Sequence, residues 1–266
     1  MRSRYAAAEA AHLVAQLGSR WGEDLALRVY TSRLLGSDPA LVLHGGGNTS
    51  VKTVRHERSG EPVDVLFVKG SGGDLGRIGP EGFPACRLAP LRRLCRLESL
   101  SDEDMVSALR SQMLDPASPT PSVEALLHAL LPGKFVDHTH ADAVLALQDQ
   151  PRAGEIAAEV WGERFLFVPY VMPGFVLARR VVELGGDRPG LQGLILGQHG
   201  IFTWGETAQE SYERMIAGVS AAEEWRDARR GSRPPRAPAV RLSPTERATA
   251  QAGLAPIVRG ALGRAG

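Results

Sequence analysis

The segment that most constrains this 266-residue chain is KFVDHTH, at residues 134–140. Its apolar start predicts a buried strand, on which side chains two residues apart point to the same face. His138 and His140 are therefore expected to face the same way, and two neutral imidazoles on one face form half of a zinc site. A His-x-His pair alone is more often structural, so the rest of the sequence has to decide between the two interpretations.

Composition and charge argue against several classes of protein. With 43% hydrophobic residues the chain can bury a sizeable core, as one large domain or one domain with an appendage. The net charge of +1 and the aromatic content of 6% argue against nucleic-acid partners and anionic membranes. No run approaches a membrane span, and residues 1–11 lack the apolar centre of a signal peptide. We expect Cys86 and Cys95 to be free thiols in a reducing cytoplasm.

Hydrophobic periodicity and helix-capping residues predict a mixed order of helices and strands. Helices are expected over residues 4–17, 22–35, 84–99 and 176–184. Two more are expected to begin after N-cap residues at Ser101 and Thr120. A long helix is expected from a Thr207/Glu210 capping box to about residue 230. A first strand is expected from an apolar run at 41–44, which is broken by glycines and resumes over 49–54. Further strands are expected over 63–69, at the His138 segment and over 166–170. A last strand is expected over 191–196 and continues through 201–204.

This order predicts an α/β domain over residues 1–230, with a central, mostly antiparallel sheet covered by helices on both sides. Residues 231–266 are expected to form a linker, at 231–240, and a C-terminal helix. That helix is predicted to start at Ser243 or Pro244 and to be interrupted at Pro256.

Glycine-rich turns follow two predicted strands, at residues 45–48 and 70–76. Glycine lets the backbone approach a ligand closely, and successive free amides in such turns can hold an anion. Each turn alone is ordinary, and neither matches a Walker A or a dinucleotide-binding pattern. The predicted helix start at Thr120 is a further candidate anion site, because its first amides lack partners within the helix.

Together these features suggest one site. His199 lies between glycines at a strand end, so His138, His140 and His199 can supply three metal ligands, as in catalytic zinc sites that keep a fourth position open. Glu124 is a candidate acid/base or transient fourth ligand. The glycine-rich turns and Ser122 can hold a phosphate.

In this combination and order the sequence resembles the class II aldolase/adducin family, over about residues 20–230. Within it the closest likeness is to the aldolase part of bifunctional rhamnulose-1-phosphate aldolase/alcohol dehydrogenase proteins. The resemblance is carried by five stretches: LVLHGGGNTSVK at 41–52, VKGSGGDLG at 68–76, PSVEALLH at 121–128, VDHTH at 136–140 and GQHGIFTWG at 197–205.

The resemblance implies a class II aldolase-like fold and a reversible cleavage of a ketose 1-phosphate to dihydroxyacetone phosphate and a small aldehyde. It also implies a homotetramer with active sites at subunit interfaces. By the same resemblance, zinc or another divalent metal is held by His138, His140 and His199, and Glu124 is the catalytic acid/base. The substrate phosphate is contacted by Asn48, Ser71, Gly72 and Ser122.

The sequence departs from the family pattern at several positions. Simpler members carry two serines before the glutamate, whereas here Val123 follows Ser122. Lys69-Gly70 replaces a threonine-proline pair, and Lys69 can bring charge to the phosphate. Tyr170 and Tyr212 are both candidates for a tyrosine that some members contribute from a neighbouring subunit. Asp137 and Asp142 flank the histidines and can orient their N–H groups.

Two kinds of alternative remain open. One is another enzyme of the family, either a pentulose-phosphate epimerase, a methylthioribulose-phosphate dehydratase or a sugar-acid-phosphate decarboxylase. The other is a non-catalytic adducin-like binding module, in which the metal histidines are lost. Because the chain lacks the Gly-x-x-x-Gly-x-Gly turn of the dehydrogenase part, we expect no nicotinamide-dependent activity.

Overall fold

The computed structural model of this chain describes residues 1–57, 59–229 and 242–262. Packing divides the chain into two compact units, Met1–Arg229 and Arg230–Gly266. The described part of the second unit is helix α10 (Pro244–Leu262). The predicted linker at 231–240 lies outside the described residues.

A single sheet forms the centre of the first unit. Its described strands are β1 (Asn48–His56), β2 (Pro62–Val68), β3 (Ala85–Arg87), β4 (Phe135–Thr139), β5 (Phe165–Val168), β6 (Gly193–Leu196) and β7 (Gly200–Gly205). They are arranged in the order β3-β2-β1-β4-β7-β6-β5. Every pair is antiparallel except β5 with β6, which is parallel. This confirms the predicted α/β fold with a mostly antiparallel sheet.

Nine α-helices are described in the first unit. They are α1 (Ala7–Trp21), α2 (Glu23–Gly36), α3 (Leu88–Leu94), α4 (Asp102–Ser111), α5 (Ala125–Leu130), α6 (Asp142–Gln148), α7 (Ala153–Trp161), α8 (Phe175–Glu183) and α9 (Ala208–Arg229). Among the described helices, α10 included, none has the length and apolar content of a bilayer-spanning segment.

The two faces of the sheet follow from the alternation of side chains along each strand. On the first face Leu66, Val136 and Phe202 pack with apolar residues of α3, α4, α5 and α8. On the second face the intervening residues, such as Phe135 and Ile201, pack with apolar residues of α1, α2, α6, α7 and α9. Even-numbered residues of β4, including His138, therefore belong to the first face.

Two predicted helix starts were wrong, and in both cases pairing between distant segments decides the local structure. Residues 85–87 form β3, because Cys86 pairs with Leu66 of β2, and helix α3 begins only at Leu88. Thr120 does not cap a helix: its carbonyl accepts from Ser71 N, and Ser122 N donates to the Lys69 carbonyl. Helix α5 therefore begins at Ala125, with Glu124 at its N-cap.

Three further predictions were also wrong. Residues 41–44 form turns rather than a strand. Residues 201–204 do not continue the preceding strand, but return antiparallel to it as β7. Helix α10 is not interrupted at Pro256. Its surroundings are exposed, so water can satisfy the carbonyl that a proline leaves without a partner.

Candidate active site

Strand register places His138 at the centre of the site. Asn48 of β1 is its partner on one side, and Phe202 of β7 is its partner on the other. The Phe202 ring stacks on the imidazole, with centroids 4.1 Å apart and planes 15° apart. His138 Nδ1 donates to the Ile201 carbonyl at 3.1 Å, since that oxygen can only accept. This bond fixes the tautomer and leaves Nε2 with a free lone pair.

The structure brings the other two predicted ligands next to this lone pair. His140 lies just beyond the end of β4, and its Nε2 is 3.0 Å from His138 Nε2. His199 lies in the turn between β6 and β7, where Gln198 adopts a left-handed conformation with φ 55°. One nitrogen from each imidazole falls within a cluster whose members are at most 4.8 Å apart.

Gly200 makes this close approach possible. A Cβ at that position would lie 2.3 Å from the Thr139 carbonyl oxygen and 3.2 Å from His138 Cε1. A side chain would therefore push the β7 end of the turn away from β4. The glycine after His199 is needed for the three imidazoles to converge.

The chemistry of the cluster fits a divalent metal ion. Burial lowers the pKa of His138 and His140, and lowers that of His199 to about 4, so all three imidazoles are neutral near pH 7. Neutral imidazole is the form that binds zinc and similar ions. In addition, His199 Nδ1 and Glu124 Oε1 are buried without a hydrogen-bond partner among the described residues. Three imidazole nitrogens and an adjacent carboxylate oxygen without a hydrogen-bond partner match the ligands of a metal site that keeps one coordination position open.

Glu124 lies directly against this cluster. Its Oε2 is 3.5 Å from His138 Nε2, and its Oε1 is 3.5 Å from His199 Nε2. Only 5% of the residue is exposed. Burial raises the pKa of Glu124 to about 7, while the hydrogen bond from Asn48 and the charge of Lys69 act in the opposite direction. A carboxyl group with that pKa can accept and return a proton near neutral pH.

The residues predicted to bind phosphate fall into two groups. Ser71 and Gly72 line an open cleft of about 470 Å³, together with Arg77. Asn48 and Ser122 lie at Glu124 instead, where Asn48 Nδ2 donates to Ser122 Oγ at 3.1 Å and to Glu124 Oε2 at 2.7 Å. The structure therefore places Asn48 and Ser122 against Glu124 rather than in the walls of the cleft.

Lys69 connects the two glycine-rich turns. Its backbone lies at the end of β2, and its Nζ donates to the Gly45 carbonyl at 2.9 Å. The turns are adjacent, because a Cβ on Gly45 would lie 3.0 Å from the Gly72 carbonyl oxygen. Burial lowers the pKa of Lys69, while Glu124 and Asp74 act in the opposite direction.

The two aspartates beside the histidines do not act as expected. Asp137 points to the second face of the sheet, where it pairs with Arg28 and accepts from Ser211 Oγ. The residue that fixes the His138 tautomer is Ile201, through its carbonyl. Asp142 is exposed in the first turn of α6.

The two candidate tyrosines differ in their surroundings. Tyr212 is buried on the second face, and its hydroxyl accepts from Arg4 N at 3.1 Å. Tyr170 is 52% exposed and its backbone nitrogen lies beside Gly197, in the turn that carries His199. Of the two, Tyr170 is the one near the histidine cluster.

His128 and Ser50, which contact the site from within the core, were not among the predicted site residues. His128 is fully buried on α5, and its two ring nitrogens are hydrogen-bonded to Asn48 and Ser50. A sequence signal exists, because Glu124 and His128 are four residues apart, the spacing of neighbours on one helix face. The partner segment, residues 48–50, is remote in sequence and could not be identified from that spacing.

Comparison with known proteins extends this description. The chain is 40% identical over 197 residues to a Bacillus subtilis protein named uncharacterized oxidoreductase YuxG, matching 74% of this chain and 29% of that relative. It is 28% identical over 140 residues to a methylthioribulose-1-phosphate dehydratase from Yersinia pseudotuberculosis, matching 46% of this chain and 63% of the dehydratase. Both matches thus span less than two thirds of the relative, and each name describes the whole of that protein rather than the matched part.

A solved structure and a family profile agree with the fold. The structure is that of the N-terminal class II aldolase domain of a conserved protein from Thermoplasma acidophilum. It is 40% identical with a TM-score of 0.75, covering 85% of this chain and 99% of that one. The profile described as class II aldolase and adducin N-terminal domain matches residues 26–225, which include all of the histidine cluster and Glu124. The chain belongs to the class II aldolase and adducin family.

Proposed function

We propose that this chain is a metal-dependent aldolase that reversibly cleaves a ketose 1-phosphate, of the rhamnulose 1-phosphate type, to dihydroxyacetone phosphate and a small aldehyde. The observation that supports this best is the buried Glu124, with a pKa of about 7, held 3.5 Å from two of the three neutral imidazoles. The family contains lyases and related enzymes that act on small sugar phosphates. The GGGNTSVK form of the first glycine-rich turn favours the rhamnulose subgroup.

The three histidines would hold zinc or another divalent ion. When bound, such an ion supplies a Lewis acid that stabilises negative charge on the substrate oxygens. His138 presents its Nε2 lone pair because Ile201 holds the proton on Nδ1. His140 and His199 complete the donor set from the end of β4 and from the β6–β7 turn.

Glu124 would carry out the proton transfer at carbon. Cleavage of the C3–C4 bond leaves an electron pair on C3 of the dihydroxyacetone phosphate fragment, and Glu124 supplies the proton that C3 gains. In the direction of synthesis Glu124 removes that proton. The C4 hydroxyl, as it becomes the aldehyde, gives its proton to water, and Glu124 regains a proton from water, so the overall reaction is proton-neutral. A pKa near 7 suits transfer in both directions.

The substrate phosphate would bind in the cleft at Ser71 and Gly72. The Lys69 ammonium, held at the Gly45 carbonyl, would supply positive charge next to this cleft, between the two glycine-rich turns. Binding energy from the phosphate, remote from the reacting bond, orients the sugar over the histidine cluster.

We further propose that residues 1–230 form the catalytic domain, with a linker and helix over 231–266, and that the protein is a cytoplasmic homotetramer. Sedimentation as a monomer would contradict the tetramer.

A second candidate is a dehydratase, which the 28% identity with the methylthioribulose-1-phosphate dehydratase favours. The same metal ligands and phosphate contacts would serve, and Glu124 would again move the proton. The two reactions differ in their products, because a dehydratase leaves the carbon chain intact.

The test is to measure metal content and product formation on the same protein. Wild type, His199→Ala and Glu124→Gln would be supplied with rhamnulose, fuculose and ribulose phosphates and with methylthioribulose 1-phosphate. His56→Ala, at an exposed position on β1, is the matched control.

The proposal predicts one metal ion per chain and release of dihydroxyacetone phosphate. The metal should be lost in His199→Ala, activity alone should be lost in Glu124→Gln, and both should be kept in His56→Ala. Metal binding with dehydration but no cleavage would establish the second candidate. A chain that binds no metal would be an adducin-like binding module.

A further inference from the structure

A chain of buried hydrogen bonds leads from the core to the acid/base. Ser50 Oγ lies 2.7 Å from His128 Nδ1, and His128 Nε2 is hydrogen-bonded to Asn48 Oδ1. Asn48 Nδ2 then donates to Glu124 Oε2 at 2.7 Å. We call these four residues the buried hydrogen-bond chain. Ser50 and His128 are fully buried, and Asn48 and Glu124 are each 5% exposed.

The direction of donation along this chain follows for the ionised form of Glu124. In that form Glu124 can only accept, so the Asn48 amide presents its NH₂ group to Glu124 and its oxygen to His128. Burial, with the charges of Lys52 and Arg28, keeps the pKa of His128 well below its ordinary value, so the ring is neutral and has one N–H. That proton must lie on Nε2 to serve Asn48 Oδ1. Nδ1 is then an acceptor for the Ser50 hydroxyl.

Secondary structure and packing hold the four residues in place. Asn48 and Ser50 are two residues apart on β1 and so share a face, and Glu124 and His128 are one helical turn apart at α5. The rings of Phe202 and His128 make a T-shaped contact, with centroids 5.3 Å apart. The Phe202 ring also stacks nearly parallel to the His138 ring. The ring of His128 therefore has little freedom to rotate.

We propose that His128 is a positioning residue for the acid/base. Its Nε2–H, in the tautomer whose Nδ1 accepts from the Ser50 hydroxyl, holds the Asn48 amide with the NH₂ group towards Glu124. Without this donor the amide can turn over and place its oxygen against the carboxylate, an arrangement of two acceptors in a buried site that is unfavourable. The consequence for catalysis depends on the proposed function, whereas the tautomer does not.

The first experiment reads the tautomer directly. Metal-free, full-length protein labelled with ¹⁵N-histidine would be examined by long-range proton–nitrogen correlation, and the His128 signals assigned by their loss in His128→Gln. The proposal predicts a neutral ring protonated on Nε2, and in Ser50→Ala a signal shifted towards a mixture of the two tautomers. A ring protonated on Nδ1, or a charged ring at pH 7, would overturn it.

The second experiment separates positioning from packing. His128→Gln keeps a side-chain N–H donor near the position of Nε2, while His128→Phe keeps a ring of similar size without a donor. If the chain cleaves a ketose phosphate, kcat should fall by about tenfold or more in His128→Phe, as expected for a lost hydrogen bond to a group that contacts a charge. KM should change by less, and His128→Gln should recover most of the loss.

A double-mutant cycle completes the test. In an Asn48→Ala background, His128→Phe should cost less than about twofold further in kcat, because its effect passes through the Asn48 amide. Full additivity, or a failure of His128→Gln to recover activity although the variant folds, would show that the ring only fills space. If no ketose phosphate is cleaved, the proposed aldolase function fails. The tautomer measurement then still decides whether His128 positions the Asn48 amide.

Discussion

Replacing Arg28 with methionine is predicted to destabilise the protein strongly, although Arg28 lies on the face of the sheet opposite the histidine cluster. Arg28 and Asp137 form an ion pair at 2.5 Å, and neither side chain is exposed to solvent. The guanidinium also donates to Thr31 Oγ1, Ser32 Oγ and the carbonyls of Ser50 and Val136. Methionine keeps an apolar stem of similar length and removes all of these donors.

The size of the stability loss follows from the buried carboxylate that Arg28→Met leaves without its partner. Asp137 stays fully buried on the second face, and among the described residues Ser211 is then the side chain still hydrogen-bonded to it. Removing one member of a buried ion pair costs about 3–5 kcal/mol, because the other charge is left without compensation. For a domain of this size each kcal/mol lowers Tm by about 2–4 °C. We therefore expect a fall in Tm of about 6–20 °C.

The assay is urea denaturation followed by circular dichroism, with thermal melting alongside. Arg152→Met, in an exposed ion pair with Glu155, is the matched control and should leave the midpoint unchanged. Arg28→Met with Asp137→Leu should recover most of the loss, because no charge is then left unpaired in the core. A loss below about 1 kcal/mol in Arg28→Met alone would refute the reasoning, since that is the range of surface pairs.

Three other predictions concern the site itself. Because the folded-state pKa of Glu124 is raised from 4.5 to about 7, the folded form binds the proton more tightly than the unfolded chain. The stability of metal-free wild type relative to Glu124→Gln should therefore fall as pH rises through that window and level off above it, as measured by urea denaturation across the range. Lys69→Met should weaken binding of a phosphate monoester by about tenfold or more, measured by calorimetry, because a charged donor is lost; unchanged affinity would remove Lys69 from the phosphate site. Gly200→Ala should reduce zinc affinity and cost about 1–3 kcal/mol of stability, because its Cβ would overlap the Thr139 carbonyl; a zinc titration equal to wild type would contradict this.

The parts of the site that the sequence predicts well are those set by local geometry. His138 and His140 share a face because they are two residues apart, and His199 lies in a tight turn that glycines flank. The Thr207/Glu210 capping box was also predicted, and the structure shows Glu210 N donating to Thr207 Oγ1 at 3.0 Å. These features depend on residues within one turn or strand, so the sequence carries them completely.

The parts that the sequence did not predict depend on pairing between distant segments. Thr120 and Pro121 have the pattern of a helix start, but Pro121 bridges to Gly70 and keeps the backbone extended. Asp137 was expected to serve the histidines, yet its strand neighbours place it on the other face with Arg28. Likewise, the contact between His128 and Asn48 joins residues 80 positions apart, and it requires α5 to pack against the first face of the sheet.

The register in which Asn48 lies opposite His138, and His138 opposite Phe202, has a consequence for how the protein would acquire the proposed ion. The site requires β1, β4 and β7 to be paired correctly, and a slip of one residue would turn Asn48 or His138 to the wrong face. Such long-range pairings form late in folding, since closing large loops is slow. An ion that needs all three histidines therefore binds a finished sheet, and added metal should stabilise the native state without guiding the chain towards it.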